Sequence, residues 1–386
     1  LIDFPEIKLN WGNHDLLWMG AAVGSRELIC DLIRIQLRYG HSALLEEDYK
    51  ISLKQLKDFA GETYTVDPAA GFYPGAGVFD SHYTREDLAK MQKVVAVILW
   101  KLEASRNEEL QIEAPLISLF TDEKGDLHCT LNKKNHRLMD QDLPTVNPEF
   151  PARLSPGEEK LLSDLVYQFK TNRRLQRQMK HIAHVGALYR IDNRILSFHA
   201  IIPVDNTGKL TPVNILGREY KGRALFDTLT SIYKSSFEMK DPPQAFLDLF
   251  YQGWKGRNSW TFGKMSMQTF PRLMIEDSST HKEMKASYYT ILNDPEAGKD
   301  MITDILKDFS DDKISPPFKI YNGHIPVRID KEEDPVKAGG LVICGDGGFS
   351  EAYGDVGFVM VATSRRLFLN KLGKGVSVDE VLTGGA

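Results

Sequence analysis

The sequence predicts an α/β protein, with a core of strands drawn from both ends of the chain and a mainly helical insertion at 46–185. Three observations carry this expectation. Alternating or apolar runs that suit strands fall at 6–10, 187–202 and 319–362, whereas helical spacing dominates between the first two. Clusters of glycine, proline and aromatic residues punctuate the chain where one pattern gives way to the other. The 386 residues are 42% hydrophobic and 26% charged, ample for a large core in roughly two or three compact units. Residues 1–45 and 186–386 are therefore assigned to the core and 46–185 to the insertion.

Taken in order, residues 6–10 alternate polar and apolar and read as a strand, which Trp11-Gly12-Asn13-His14-Asp15 breaks. A long amphipathic helix is expected from about Leu16 to Tyr39. It has Leu17, Gly20, Gly24, Leu28, Leu32 and Ile35 on helical spacing, Arg34 and Arg38 on another face, and Gly40 as C-cap. A second helix covers about Asp48–Phe59, a Gly- and Pro-rich loop spans 61–80, and a strong helix runs from Thr84 to Arg106. Asp122-Glu123-Lys124-Gly125 is the turn of a hairpin over Ser118–Leu131. Pro144, Pro148, Pro151 and Pro156 mark a linker. The helix opened by Ser155 continues toward His184, basic on one side through Arg173, Arg174, Arg177 and Lys180. A hairpin from Ala187 turns at Asp192-Asn193 and continues through Ile195–Ile202, and residues 223–252 are helical. Strands at Lys319–Tyr321, Val327–Ile329, Leu341–Cys344 and Gly357–Ala362 complete the pattern.

Composition narrows the function. Lys plus Arg is 48 against 53 for Asp plus Glu, a net charge of −5, which argues against a nucleic-acid partner. The basic run at 173–180 reads instead as an exposed helix face or a subunit contact. No apolar run approaches the roughly 18 residues of a membrane span, so no membrane partner is expected. Cys30, Cys129 and Cys344 are far apart and odd in number, which suits reduced thiols and a cytoplasmic location. The chain lacks an initiator Met and reaches a motif-bearing strand within ten residues, so it is expected to be part of a longer one.

Three segments could carry chemistry. Gly12-Asn13-His14-Asp15 follows a strand and precedes a helix, the place where α/β enzymes build sites. An Asn oxygen can ligate a hard metal and a neighbouring His can protonate a leaving oxygen, although Asn and Asp also serve plain turns and caps. His199 sits near the exit of an apolar strand, where a lone His is commonly a satisfied core residue. Asn322-Gly323-His324 is another strand-end His, preceded by a glycine that permits close backbone approach. Three imidazoles at strand ends, one beside an Asn, are more economically read as a metal cluster than as three independent core residues.

Trp11-Gly-Asn-His-Asp15, His199-x-x-Ile-Pro-Val-Asp205 and Asn322-Gly-His-x-Pro-Val327 resemble the later metal motifs of the calcineurin-like metallophosphoesterases. More closely, they resemble class III bacterial fructose-1,6-bisphosphatases. The likeness extends to Trp11–Arg38, Thr261-Phe-Gly-Lys264 with Phe270, and Thr280-His-Lys-Glu283 with Lys285, Tyr288 and Tyr289. It continues through Asp334-Pro-x-Lys337 to Asp346-Gly-Gly-Phe-Ser350 with Ala352-Tyr353, and fades after Gly354. Gly339 and Gly345 depart from the family's wording.

The resemblance implies a metallophosphoesterase-like β-sandwich flanked by helices and a two-metal hydrolase of gluconeogenesis that removes the 1-phosphate of fructose 1,6-bisphosphate. Asn13, His199 and His324 match ligands of the second metal, and His14 matches the acid that assists the departing alkoxide. Mn²⁺ is the expected ion because imidazole is mixed with hard oxygen donors, with Mg²⁺ the alternative. The family also carries Asp-x-His and Gly-Asp-x-x-Asp-Arg-Gly motifs upstream of the Asn-His pair, and neither is among these residues. Asp80-Ser-His82 and Asp126-Leu-His128 fit the first only downstream and are set aside. Arg257, Lys264, Lys282 and Lys285 are candidates to neutralise the second phosphate, and His281 or Tyr289 to hydrogen-bond the sugar. The plainer reading of 280–285 is a solvated helix start. The expected partners are a small sugar bisphosphate and further copies of the chain in a homo-oligomer. Rival functions are a phosphoprotein or dinucleoside polyphosphate phosphatase, or a non-catalytic module with half a metal site.

Overall fold

The computed structural model describes residues 7–110, 112–265, 267, 269–310, 317–327, 332–346, 357–362 and 367–372. The architecture is mixed α/β. One five-stranded sheet runs in the order Val336–Lys337, Val342–Cys344, Lys319–Asn322, Ile195–Phe198, Tyr189–Asp192. Its three central strands are parallel and its two outer strands antiparallel to their neighbours. Leu9–Asn10 pairs separately, in parallel, with Gly186–Ala187, just ahead of the 189–198 hairpin. That hairpin closes through Asn193 and Arg194, both with positive φ as its tight turn demands, one residue later than the sequence pattern suggests.

Three expected helices are broken, two of them between helices that face the same core. The 16–39 stretch forms Asn13–Ala22 and Arg26–Arg38. Gly24 lies at φ +100 between them, and the Ser25 side chain caps the second helix by accepting from the Leu28 amide. The 155–184 stretch forms Pro156–Thr171 and Arg173–Val185, with Asn172 extended between them and capping the second. Apolar spacing continues across both breaks because each pair of helices faces the same core, so periodicity alone does not reveal the kink. The expected 48–59 helix runs instead from Lys54 to Thr63, and the 223–252 helix is interrupted by Pro242 and Pro243 into Gly222–Ser236 and Gln244–Lys255. Arg85–Ser105 forms nearly as expected, under a Thr84/Asp87 capping box. The hairpin at 118–131 gains a third strand, Lys134–Arg137. Arg328 and Ile329 of the expected strand, and 347–350 of the glycine-rich segment, lie outside the described residues.

One continuous apolar core runs from Trp11 to Phe358 and takes side chains from 1–45, 46–185 and 186–386 alike. A smaller cluster gathers Phe72, Trp100 and Phe270 beside the three-stranded hairpin sheet. Among the described residues no helix is long and apolar enough to cross a membrane.

The Arg85–Ser105 helix also buries two lysines. Lys93 Nζ donates to Asp140 at 2.9 Å, and Lys101 Nζ donates to Glu158 at 2.7 Å and to the Thr145 carbonyl at 2.6 Å. These bonds fasten the proline-rich linker to the helix. A buried charge stripped of its partner costs about 3–5 kcal/mol, whereas removing both charges costs far less. Lys101→Met is therefore expected to lower the urea midpoint sharply. Lys101→Met combined with Glu158→Gln, which keeps the Ser155 cap acceptor, should recover most of the loss; a double variant no better than the single one overturns the reading.

Candidate functional site

The site forms where strand ends meet. Ile195–Phe198 and Lys319–Asn322 are adjacent and parallel, so their C-terminal exits lie side by side, and the Gly323 amide donates to the His199 carbonyl at 2.8 Å. This register puts His199 Nε2 3.1 Å from His324 Nδ1. His324 holds a φ of +71, a conformation that costs a non-glycine residue free energy and that clusters at functional sites. The third strand end, Leu9–Asn10, continues through the Trp11 amide, which donates to the Ala187 carbonyl. Gly12 then lies against the face of the His199 ring. A Cβ there would fall 2.9–3.1 Å from three ring atoms, so any larger residue has to displace the ring.

Asn13, His14 and His324 line one cleft of about 830 Å³. Asn13 is buried, and its helix is capped by Asp15, which accepts from the Gly12 amide at 2.8 Å. His14 reaches the solvent of the cleft with its ring edge-on to Trp254, centroids 5.1 Å apart. The cleft walls desolvate that ring and lower its pKa, while the nearby carboxylates of Asp15 and Asp31 work the other way.

The two facing imidazoles are held neutral. Burial pushes His199 down to about 3, helped by repulsion from His324 and His14. Burial and then Lys264 push His324 down to about 4, although its hydrogen bond to the Phe262 backbone opposes the shift. Neutral imidazole is the form that binds metal, and a backbone hydrogen bond is a usual way for such a ring to be oriented. Two nitrogens each about 2.1 Å from one ion at angles near 90–110° would stand about 3.0–3.4 Å apart. The observed 3.1 Å fits, and the Asn13 amide supplies a hard donor in the same cleft. Among the described residues, no three of His, Cys, Asp and Glu gather into a complete ligand set.

Other expected residues divide. Lys264, His281, Lys282 and Lys285 line the same cleft. Lys264 is paired with Glu283 at 2.6 Å, and His281 donates to the Ile275 carbonyl at 2.8 Å. Lys282 and Lys285 are exposed. Tyr289 is buried and, like His199, is not part of the cleft lining; its hydroxyl proton is shared between the Ala200 and Gly323 carbonyls, steadying the backbone beside both histidines. Arg257 lines a separate groove. The sequence reading missed Asn322, whose buried amide donates to the Ala200 carbonyl at 3.1 Å, and Arg34, Arg38 and Arg272, which line the cleft. Asp80 and His128, from the two set-aside motifs, serve locally: Asp80 accepts from Ser42, and His128 bonds Asp122 within the hairpin sheet.

A buried ion cluster underlies the cleft. Asp31 accepts from Arg34 Nε at 2.8 Å and from Trp254 Nε1 at 2.7 Å, and Lys255 Nζ lies 3.1 Å away. Lys255 also pairs with Glu103 at 2.6 Å. Although burial alone would raise the Asp31 pKa, these cations and donors hold it well below the ordinary carboxylate range.

The Firmicute fructose-1,6-bisphosphatase family model matches residues 1–386. The chain is similar to class 3 fructose-1,6-bisphosphatases from three bacteria. It is 36% identical to that of Parabacteroides distasonis over 380 residues, covering 95% of this chain and 56% of the relative. It is 35% identical to that of Bacteroides fragilis over 384 residues, covering 96% and 56%. It is 34% identical to that of Clostridioides difficile over 381 residues, again covering 96% and 56%. The chain thus spans about half the length of the curated relatives it matches. No solved structure matches it.

Two outcomes follow from this geometry. Asp31→Asn leaves Arg34 and Lys255 short of a buried counter-charge and should cost about 3–5 kcal/mol. Because the native Asp31 pKa is depressed, its stabilisation is present above the unfolded value of about 3.9 and is lost as pH falls toward the native one. Urea titrations between pH 7 and pH 3 should therefore show a shallower acid limb in Asp31→Asn; an unchanged limb refutes the assignment. Gly12→Ala should displace the His199 ring at a cost of about 1–3 kcal/mol, measured by thermal melting and by the shift of the His199 ring resonances.

Proposed function

Because the chain belongs to the Firmicute fructose-1,6-bisphosphatase family, we propose that the full protein hydrolyses fructose 1,6-bisphosphate to fructose 6-phosphate and phosphate. The observation that carries this reading is the pair of neutral imidazoles 3.1 Å apart, His199 lying behind His324, which lines a cleft with His14 and a concentration of lysines and arginines. The family reading supplies the wider setting: a metallophosphoesterase-like β-sandwich, a homo-oligomer, and a place in cytoplasmic gluconeogenesis.

Asn13, His199 and His324 would hold a divalent ion, Mn²⁺ for this mixture of nitrogen and oxygen donors or else Mg²⁺. When bound, such ions polarise phosphoryl oxygens and lower the pKa of water, and a two-metal site takes further ligands beyond these three residues. The remaining steps belong to the chain's own side chains. Lys264, Lys282 and Lys285 offset the negative charge of the substrate in a partly enclosed cleft where water screens it less. Water's oxygen bonds to phosphorus as the bond from phosphorus to the sugar oxygen breaks, and His14 delivers its proton to that oxygen. The lowered His14 pKa makes the imidazolium a stronger acid, and the edge of Trp254 keeps the ring from turning away. His281, tied through one nitrogen to the Ile275 carbonyl, is positioned to hydrogen-bond a sugar hydroxyl.

The test separates proton delivery from metal holding. In the full protein, His14→Asn should lower kcat by about 10²–10⁴-fold while metal content stays near wild type. His199→Asn and His324→Asn should instead lose metal first, with activity partly restored by excess Mn²⁺. Turnover with fructose 1,6-bisphosphate and metal analysis are the measurements. If His14→Asn strips the metal or leaves kcat unchanged, it is not the acid. If the wild-type protein fails to turn over fructose 1,6-bisphosphate, the substrate reading falls.

A further inference from the structure

We infer that Arg34, Arg38 and Arg272 form a subsite for the phosphate that is not cleaved, and so select bisphosphorylated over monophosphorylated substrates. The inference rests on the sugar-bisphosphatase reading of this cleft and assigns it a second anion site.

Arg34 and Arg38 stand one turn apart on the Arg26–Arg38 helix, spacing that stacks them on one face, and Arg272 approaches from the Thr269–Met274 helix. All three line the cleft that holds Asn13, His14 and His324. They differ in what neutralises them. Arg34 is almost fully buried and fixed to Asp31, with Nε at 2.8 Å and Nη2 at 2.7 Å. Arg272 shares Glu283 with Lys264, at 3.1 and 2.6 Å. Arg38 is half-buried, and its Nη1 donates to the Gly71 carbonyl at 3.0 Å. Among the described residues no carboxylate pairs with it.

Arg38 is thus a positioned guanidinium with no carboxylate partner among the described residues; burial and then Arg34 lower its pKa, Tyr39 works against them, and Arg272 lowers it more weakly. Such an arrangement is unfavourable until an anion enters. A phosphate dianion would meet several guanidinium N–H groups at once, and these forks match its oxygens in geometry as well as charge. Lys282 and Lys285 are exposed and carry flexible point charges, which suits attraction of the substrate more than registry of one phosphate. The carbonyl of Gly71 and the carboxylate of Asp31 aim two of the guanidinium groups before the ligand arrives, so little side-chain freedom is lost on binding.

The experiment is calorimetric titration of the full protein with fructose 6-phosphate and, separately, with pyrophosphate, in wild type, Arg38→Met and Arg272→Met. Arg257→Met serves as control, because it removes the same charge from the neighbouring groove. Loss of a charge-assisted fork should weaken both probes by about 10–100-fold in Arg38→Met and less in Arg272→Met, with Arg257→Met unchanged. In turnover assays, the ratio of kcat/KM for fructose 1,6-bisphosphate to that for fructose 1-phosphate should fall by a similar factor in Arg38→Met. Equal loss in Arg257→Met, or unchanged binding in Arg38→Met, overturns the subsite. So does a wild-type protein that binds neither probe. Pyrophosphate binding that depends on Arg38, in a protein that ignores fructose 6-phosphate, keeps the anion subsite and discards the sugar reading.

Discussion

Much of this structure hangs on a single buried carboxylate. Asp31 is fully enclosed, and a bare charge there would be costly, so its surroundings are organised to neutralise it. Arg34 comes from its own helix, and Lys255 and Trp254 from the Gln244–Lys255 helix. Lys255 reaches onward to Glu103 on the long Arg85–Ser105 helix, where the Tyr251 hydroxyl also donates. Three helices are thereby locked at fixed rotation about their own axes, which packing of leucines alone does not enforce so strictly. Two of the locked groups face the cleft: Arg34 lines it and Trp254 packs edge-on against His14. The charge state of one residue beneath the floor thus governs the orientation of groups above it.

The strand-end histidines were legible in the sequence because their reasons are local. A histidine after a short apolar strand, preceded by glycine or followed by proline, is chemically conspicuous. Proximity to each other was not local information: it depends on which strands are neighbours, and the parallel pairing of Ile195–Phe198 with Lys319–Asn322 supplies it. The helix breaks at Gly24 and Asn172 escaped for the opposite reason, since apolar spacing persists through both.

Residues with two chemical faces were the hardest to assign. Tyr289 can offer its hydroxyl to a ligand or to the backbone, and only burial shows that it does the latter. Arg34 and Arg38 read as the polar side of an amphipathic helix. Such a side is normally solvated, and it becomes a cleft wall here because the 269–285 region folds over it and contributes Arg272, Glu283 and Lys285. Glu283, between Lys264 and Arg272, is the counter-charge that lets so many cations share the space. No sequence window contains that arrangement.

The facing imidazoles are separated by 125 positions along the chain. The entropy of closing so long a loop grows only slowly with its length, but non-local pairings of this kind slow folding. During synthesis the polypeptide therefore exposes His14 and Asn13 first, His199 much later, and His324 near the end of this region. The paired nitrogens exist only once the chain has been made as far as His324.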